Sequence, residues 1–186
     1  MTTTDIRVAA LCGSLRKDSY NAAALRAAIE LAPAGMTIRP APVGDLPLYN
    51  DDIRQAGYPE PVARLRQALG EADAVLFVTP EYNFSIPGVL KNAIDWASRP
   101  PSQPFDGKPV AIMGAATGVI GTARAQYHLR QMMVFLNAFP VNKPEVFIGQ
   151  AASKFDAGGN LTDQPTRDII AQLLAALQAW TLKLRG

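Results

Sequence analysis

Short apolar runs alternate with helical patterns along this chain. The runs Ala74–Val78 and Pro109–Met113 contain no polar side chain, which predicts strands that are buried on both faces of a sheet. Three further strands are predicted at Ile6–Cys12, Met36–Arg39 and Glu145–Ile148. The hydrophobic pattern therefore predicts five strands, three of them in the first half of the chain.

Helical spacing of apolar residues separates these strands. Helices are predicted at residues 21–31, 62–70, 122–137 and 165–184, and one more begins near Pro87 and carries Leu90, Ala93, Ile94 and Ala97. On the 122–137 helix one stripe holds Leu129, Met132, Met133 and Leu136. On the last helix the inward positions are Ile169, Leu173, Leu177, Trp180 and Leu184. Prolines 40, 42, 47, 59 and 61 predict a long ordered connection without a helix, and residues 149–164 resemble a loop.

Five strands alternating with five helices indicate an α/β protein with one parallel sheet covered on both faces. The natural doubly wound arrangement of five strands is the flavodoxin-like order 2-1-3-4-5. That order brings the carboxyl ends of strands 1 and 3 together, where open α/β sheets bind ligands. We expect a single flavodoxin-like domain over residues 1–186, because the sequence contains no repeat or linker.

Composition narrows the classes of function. The chain has 186 residues, 48% of them hydrophobic, and a net charge of +2, which is too balanced to favour nucleic acid or a membrane surface. Cys12 is the only cysteine and the first residues carry no signal-peptide pattern, so a reducing compartment, the cytoplasm, is expected. With His128 as the only histidine, a multi-histidine metal site is excluded.

The stretch after the third predicted strand is the most informative part of the chain. Pro80 ends the strand, Ser85 is placed to cap the next helix, and Pro87 suits its first turn. Glu81, Tyr82, Asn83 and Phe84 are therefore expected on a short loop at the carboxyl end of a strand, which is a ligand-binding position. The alternative is an ordinary solvated turn.

The loop after the first strand has the composition of a phosphate site. Ser14, Ser19 and Asn21 offer neutral donors, Arg16 offers a charged fork, and the N-terminus of a helix follows directly. The loop lacks the second glycine and the Gly-Lys-Ser/Thr end of a P-loop, and it is not a G-x-G-x-x-G fingerprint. The alternatives are helix capping by Ser19 and Asn21, and a solvated side chain for Arg16.

Two motifs carry a family resemblance. The sequence GSLRKDSYN at 13–21 and the sequence PEYNFSIPGVLKNAIDW at 80–96 resemble the NADPH-dependent FMN reductase family, in particular its quinone and chromate reductases. The resemblance implies a flavodoxin-like fold, noncovalent FMN, NADPH or NADH as co-substrate, and a homodimer or homotetramer.

The resemblance also implies which residues hold the cofactor. The FMN phosphate would be held by Ser14, Arg16, Ser19 and Asn21. The ribityl chain and the flavin ring would be contacted by Pro80, Glu81, Tyr82, Asn83 and Ser85, with Ala116, Thr117 and Gly118 beside the pyrimidine edge. From the residues themselves, Gly114 and Gly118 are expected to let the backbone approach a flat ring closely.

Because the cofactor carries the chemistry, we expect no catalytic side chain and no metal. The activity implied is hydride transfer from a reduced nicotinamide to flavin N5, then two-electron reduction of a small-molecule acceptor by a ping-pong mechanism. Acceptors would be quinones, with chromate or azo compounds as further candidates. The alternatives are a flavodoxin-type electron carrier, which the slightly basic charge disfavours, and a flavin-binding module without turnover.

Other conspicuous residues have structural explanations. Cys12 is expected to be a small core residue, and His128 to lie on a solvated or subunit-contact face of its helix. Trp96 and Trp180 are expected in the core or an interface. Tyr49, within residues 46–51, either belongs to a surface loop or lines the flavin pocket of a neighbouring subunit.

Overall fold

A computed structural model of the chain describes residues 5–186; the part of the domain prediction that covers residues 1–4 lies outside it. The strands are β1 (Ile6–Cys12), β2 (Met36–Pro40), β3 (Ala74–Val78), β4 (Pro109–Ala115), β5 (Phe139–Pro140) and β6 (Val146–Ile148). The helices are α1 (Tyr20–Glu30), α2 (Asp51–Ala56), α3 (Glu60–Glu71), α4 (Gly88–Ala97), α5 (Ala123–Leu136) and α6 (Gln164–Arg185), and a 3₁₀ turn spans Ala151–Ser153.

The strands form one parallel sheet in the order β2-β1-β3-β4-β5, and β6 also pairs with β4. The predicted order is therefore confirmed, but the fifth position is shared by two short strands. The first half of β4 pairs with Phe139 and Pro140, and its second half pairs with β6. The chain leaves the sheet after Pro140 and returns at Val146, so the predicted strand at 145–148 is only the second of the two pieces.

Helices cover both faces of the sheet. On one face, α1 and α6 pack on alternate strand residues such as Val8, Leu76 and Met113. On the other face, α3, α4 and α5 pack on the intervening residues such as Phe77 and Ile112. This double cover explains why β3 and β4 are apolar at every position, as the sequence predicted.

The connection between Pro40 and Pro61 was predicted to contain no helix. This prediction is wrong, because the connection contains α2. The side chain of Asn50 accepts a hydrogen bond from the Asp52 N–H, and this cap starts the helix between two prolines. Pro59 and Pro61 do not break α3 either, since Pro59 is its N-cap residue and Pro61 lies in its first turn, where no N–H is needed.

The helical stripes are mostly as predicted. Leu129, Met133 and Leu136 of α5 are buried, whereas Met132 is only half-buried. The buried stripe of α6 runs through Ile170, Leu173, Leu174 and Leu177. Ile169 and Trp180 are half-buried, and Leu184 is exposed, so the prediction placed the ends of this stripe one position off.

Trp96 and Trp180 differ in their surroundings. Trp96 is fully buried and its indole N–H donates to the carbonyl of Pro47, while Trp180 donates to the carbonyl of Phe139. Within residues 5–186, none of the helices has the length and apolar character needed to cross a bilayer.

Candidate functional site

Three loops meet at the carboxyl edge of the sheet. The end of β1 lies beside the end of β3, which in turn lies beside β4. Two further backbone hydrogen bonds extend this alignment beyond the strands, from Gly13 N–H to the Val78 carbonyl and from Thr79 N–H to the Met113 carbonyl. The loops that begin at Gly13, Thr79 and Ala116 are therefore neighbours, as the topology predicted.

In the first loop, Ser19 caps α1. Its Oγ accepts hydrogen bonds from the backbone N–H groups of Asn21 and Ala22, at 3.2 and 3.3 Å. Its hydroxyl hydrogen remains available for donation to an anion. Ser19 thus fits the capping alternative and still offers a donor at a helix N-terminus, where a phosphate is favoured.

Asn21 joins the first and third loops. Its side-chain amide donates to the carbonyl of Ala115 and accepts from the N–H of Ala115, both at 2.9 Å, in a buried position. Both ends of the amide are therefore used in the structure. Asn21 orients the start of the third loop, and its side chain is already committed to the backbone at the end of β4.

Arg16 and Ser14 lie at the open side of the first loop. The Arg16 guanidinium is exposed and donates to the Asp18 carbonyl at 2.6 Å, and Ser14 is half-buried. A groove of about 410 Å³ borders this loop and the start of α1, and its cations are Arg16, Lys17 and Arg26. Its other wall is formed by residues 156–159, and Asp18 and Asp156 add two carboxylates to the lining, so the groove borders the first loop but not the second or the third.

In the second loop, residues 82–85 form a tight turn. Tyr82 and Ser85 exchange two backbone hydrogen bonds of 2.9 and 3.0 Å, and Asn83 and Phe84 between them have φ angles of 50° and 64°. Positive φ at both central residues is the signature of a type I′ turn. This turn leaves the side chains of Tyr82 and Asn83 exposed, whereas Pro80 is buried.

The prediction that Ser85 caps α4 is wrong. The N-cap residue is Pro87, and no side chain caps that end of the helix. The Ser85 backbone closes the turn, and its Oγ lies 3.1 Å from Nδ1 of His128. His128 is exposed, as predicted, but it contacts the second loop of its own chain.

The carboxylate of Glu81 points away from the open side of the loop. It accepts from the Arg124 Nε at 2.6 Å and from the Ala125 N–H at 3.1 Å, and the side chain is only 7% exposed. The guanidinium of Arg124 lies over the Phe84 ring, 3.7 Å from its centroid. The sequence analysis did not identify Arg124 as a contact of the second loop. The only feature of the sequence that could have indicated this contact was its position one helical turn before His128.

The third loop is held by backbone hydrogen bonds to the end of β6 and to the residues that follow it. The N–H of Ala116 donates to the Ile148 carbonyl, and the carbonyls of Ala116 and Gly118 accept from Ala151 and Gln150. Thr117 and Gly118 are exposed. The loop therefore presents its tip to solvent beside the other two loops.

The two glycines of this region have different surroundings. A Cβ on Gly114 would lie 2.1 Å from the Thr79 carbonyl oxygen and 2.3 Å from the Thr122 Oγ1, whereas a Cβ on Gly118 would meet nothing within 4 Å. Close approach of the chain's own backbone is thus enough to require glycine at position 114, and the approach of a flat ring to Gly114 and Gly118 stays a prediction.

Cys12 packs against the core at the end of β1, as predicted. Burial raises the pKa of its thiol, and a hydrogen bond with the backbone of Ser14 opposes this shift more weakly. The thiol is therefore protonated at neutral pH. In the part of the chain that the structure describes, no three side chains of the metal-binding types cluster closely enough to hold a metal ion.

Comparisons with known proteins point to one family. Residues 6–153 match the sequence profile of the NADPH-dependent FMN reductases. The chain is 58% identical to an NAD(P)H-dependent FMN reductase of Pseudomonas aeruginosa over 98% of both chains, and 48% identical to a quinone reductase of Escherichia coli over 92% of this chain and 93% of that one. Among solved structures, the flavoenzyme NAD(P)H:(acceptor) oxidoreductase FerB of Paracoccus denitrificans matches with a TM-score of 0.87 at 41% identity, covering 96% of this chain and 98% of that one.

Proposed function

The chain belongs to the NADPH-dependent FMN reductase family, and from that premise we propose that it is an FMN-dependent NAD(P)H oxidoreductase that reduces quinones. The observation that carries the proposal is the meeting of three loops with both family motifs at the carboxyl edge of the sheet. In this proposal residues 1–186 form one domain, and the carboxyl edge of its sheet is the flavin site.

FMN is the cofactor and NADPH or NADH is the co-substrate. The residues present fit the cofactor, because a capped helix N-terminus with a free hydroxyl donor suits a terminal phosphate. In our proposal Ser14, Arg16, Ser19 and the N–H groups around Asn21 hold that phosphate. When bound, FMN supplies the acceptor for a hydride and the store of two electrons.

The flavin ring would lie between the second and third loops. We assign the ring contacts to the backbone and exposed side chains of the second loop, Pro80, Tyr82, Asn83 and Ser85, and to Ala116, Thr117 and Gly118 of the third. For Glu81 the contact would come from its backbone, since its carboxylate bonds to α5. Backbone N–H groups near the ring would stabilise the charge of its reduced form.

Quinones are the expected acceptors because curated relatives of this chain act on them, including a 2-hydroxy-1,4-benzoquinone reductase of a Burkholderia species that is 43% identical. Chromate and azo compounds are further candidates. Nicotinamide and acceptor would use the same exposed face in turn, which predicts ping-pong kinetics. A flavodoxin-type carrier is disfavoured, since a net charge of +2 does not suit docking to basic partners.

The first prediction tests the activity itself. Purified protein reconstituted with FMN is titrated anaerobically with NADPH and then with NADH, and the absorbance of the bound flavin is recorded. We expect stoichiometric bleaching by at least one nucleotide and recovery on addition of benzoquinone, because the flavin passes on two electrons at a time.

Free FMN at the same concentration is the control for bleaching outside the protein. A bound flavin that neither nucleotide bleaches would contradict the reductase assignment and favour the electron carrier. Failure to bind FMN would contradict the assignment of the three loops.

A second prediction concerns assembly. We propose that the chain forms a homodimer or homotetramer and lies in the cytoplasm. The support for assembly is an exposed apolar patch on α5, where Val134 and Phe135 are 83% and 80% exposed. Light scattering coupled to size exclusion should give a mass of two or four chains. Val134→Lys combined with Phe135→Lys should lower that mass, because charge on this patch disfavours its burial.

The control for this pair is a double substitution to lysine at Leu182 and Leu184, which are exposed on α6. A monomer in the parent protein would contradict the proposal. So would an assembly that the α5 variant leaves intact. That residues 46–51 line the flavin pocket of a neighbouring subunit stays a prediction; in the structure Tyr49 packs edge-on against Trp96 of its own chain.

A further inference from the structure

We propose that Arg124 and Glu81 are positioning residues: the ion pair that joins Glu81 of the second loop to Arg124 of α5, with the stacking of Arg124 on Phe84, holds the turn 82–85 in the shape that receives the flavin ring. The inference rests on the proposed function, because it assumes that this turn contacts the flavin. It assigns a role to Arg124, which neither motif contains, and it gives the carboxylate of Glu81 the role of an anchor, while the backbone of Glu81 stays a proposed cofactor contact.

The turn needs an anchor because its backbone is unfavourable. Asn83 tolerates a left-handed conformation, but Phe84 has a bulky side chain with φ at 64°, and glycine is the residue that suits this position. Two backbone hydrogen bonds between Tyr82 and Ser85 are the turn's only internal support in the structure. Contacts from outside the turn must therefore favour this conformation over relaxed ones.

Four such contacts come from α5. Glu81, directly before the turn, gives its buried carboxylate to the Arg124 Nε and to the N–H of Ala125 in the first turn of the helix. The Arg124 guanidinium then covers the ring of Phe84 at 3.7 Å. His128, one helical turn further on, reaches the Ser85 hydroxyl. Together these contacts fix the residue before the turn and two residues within it.

The helix itself is a rigid support. Ala125, Leu129 and Met133 anchor α5 in the core of the sheet, so the face with Arg124 and His128 has a fixed position. Glu81 also supplies the helix cap that Thr122 does not, since the first turn of α5 has no other side-chain acceptor among the described residues. The loop and the helix thus stabilise each other at this contact.

The exposure of these residues allows an effect on the turn to be distinguished from an effect on the stability of the fold. Phe84 is exposed and the Arg124 side chain is 43% exposed, so losing their contact opens no cavity in the core. We therefore expect Arg124 variants to alter the turn and flavin affinity more than overall stability.

The test compares Arg124→Gln, Arg124→Lys and Glu81→Gln with the parent protein. Amide exchange at Tyr82 and Ser85 is measured by NMR on flavin-free protein, and the FMN dissociation constant by quenching of flavin fluorescence. For Arg124→Gln we expect both the exchange rates and the dissociation constant to rise by about tenfold, with some loss of melting temperature because the buried Glu81 carboxylate loses its charged partner. The exchange rates and the dissociation constant of Arg124→Lys should lie between those of the parent protein and those of Arg124→Gln, since lysine retains the charge but not the planar stack.

A second expected result concerns the double variant of the ion pair. Glu81→Gln combined with Arg124→Gln should be little worse than Arg124→Gln alone, because both substitutions remove the same interaction. Arg64→Gln is the matched control, since Arg64 forms an exposed ion pair with Asp45 outside the three loops. It should leave the amide exchange and the FMN affinity unchanged.

Exchange rates and FMN affinity of Arg124→Gln within about twofold of the parent would overturn the proposal. An equal loss in the Arg64→Gln control would also overturn it. Because amide exchange is measured without flavin, it tests the clamp on the turn even if the parent protein binds no FMN, and that failure would count against the proposed function alone.

Discussion

Gly114→Ala is expected to lower the free energy of unfolding by about 3 kcal/mol or more, the largest effect that we predict for a single methyl group in this chain. The added Cβ would lie 2.1 Å from the Thr79 carbonyl oxygen, which is backbone and cannot rotate away. The Thr79 N–H is bonded to the Met113 carbonyl, so moving that oxygen also strains the pairing between β3 and β4. Urea unfolding followed by circular dichroism measures the loss.

Gly118→Ala is the matched control. A Cβ there meets no neighbour within 4 Å, and the residue is exposed, so its stability should change by less than about 0.5 kcal/mol. Equal stability of the two variants would contradict the packing explanation for Gly114. A loss of FMN affinity in Gly118→Ala at unchanged stability would show that the cofactor approaches the third loop closely, as the sequence first suggested for both glycines.

The order of the sheet could be predicted because it depends on features that are local in sequence. Apolar runs at β3 and β4 indicate burial on both faces, and alternation with helices requires parallel strands. The division of the last position between β5 and β6 could not be predicted, because two paired residues at Phe139–Pro140 leave no hydrophobic pattern. In the same way, α2 is six residues long with no buried residue, so its start depends only on the cap at Asn50.

The meeting of the three loops was also predictable, since loops at the carboxyl edge follow from the strand order. The hydrogen-bond partners of the side chains in these loops could not be predicted. Glu81 bonds to a residue 43 positions away and Asn21 to one 94 positions away, and both bonds exist only once the helices have packed. A motif therefore indicated which residues cluster, whereas the structure separates those that are open to a ligand from those that hold the loops in place.

Asn21→Ala is expected to be the second large effect, with a loss of about 2–4 kcal/mol in the free energy of unfolding. The substitution leaves both the N–H and the carbonyl of Ala115 without a partner in a buried position, and each unpaired group costs its desolvation. It also releases the third loop from the first, so we expect the FMN dissociation constant to rise by at least about tenfold. Chemical unfolding and flavin fluorescence give the two quantities.

Gln103→Ala provides the comparison that separates the two effects. Gln103 likewise bonds to backbone through both ends of its amide, to the Leu136 carbonyl and the Phe105 N–H, but it lies before β4, at the opposite edge of the sheet from the three loops. The Gln103→Ala variant should be less stable than the parent protein, while its FMN affinity should change little. If Asn21→Ala lost stability without losing FMN affinity, the link between the first and third loops would be unnecessary for the cofactor. If both variants lost affinity equally, the loss would follow from lower stability, and Asn21 would have no specific role in aligning the site.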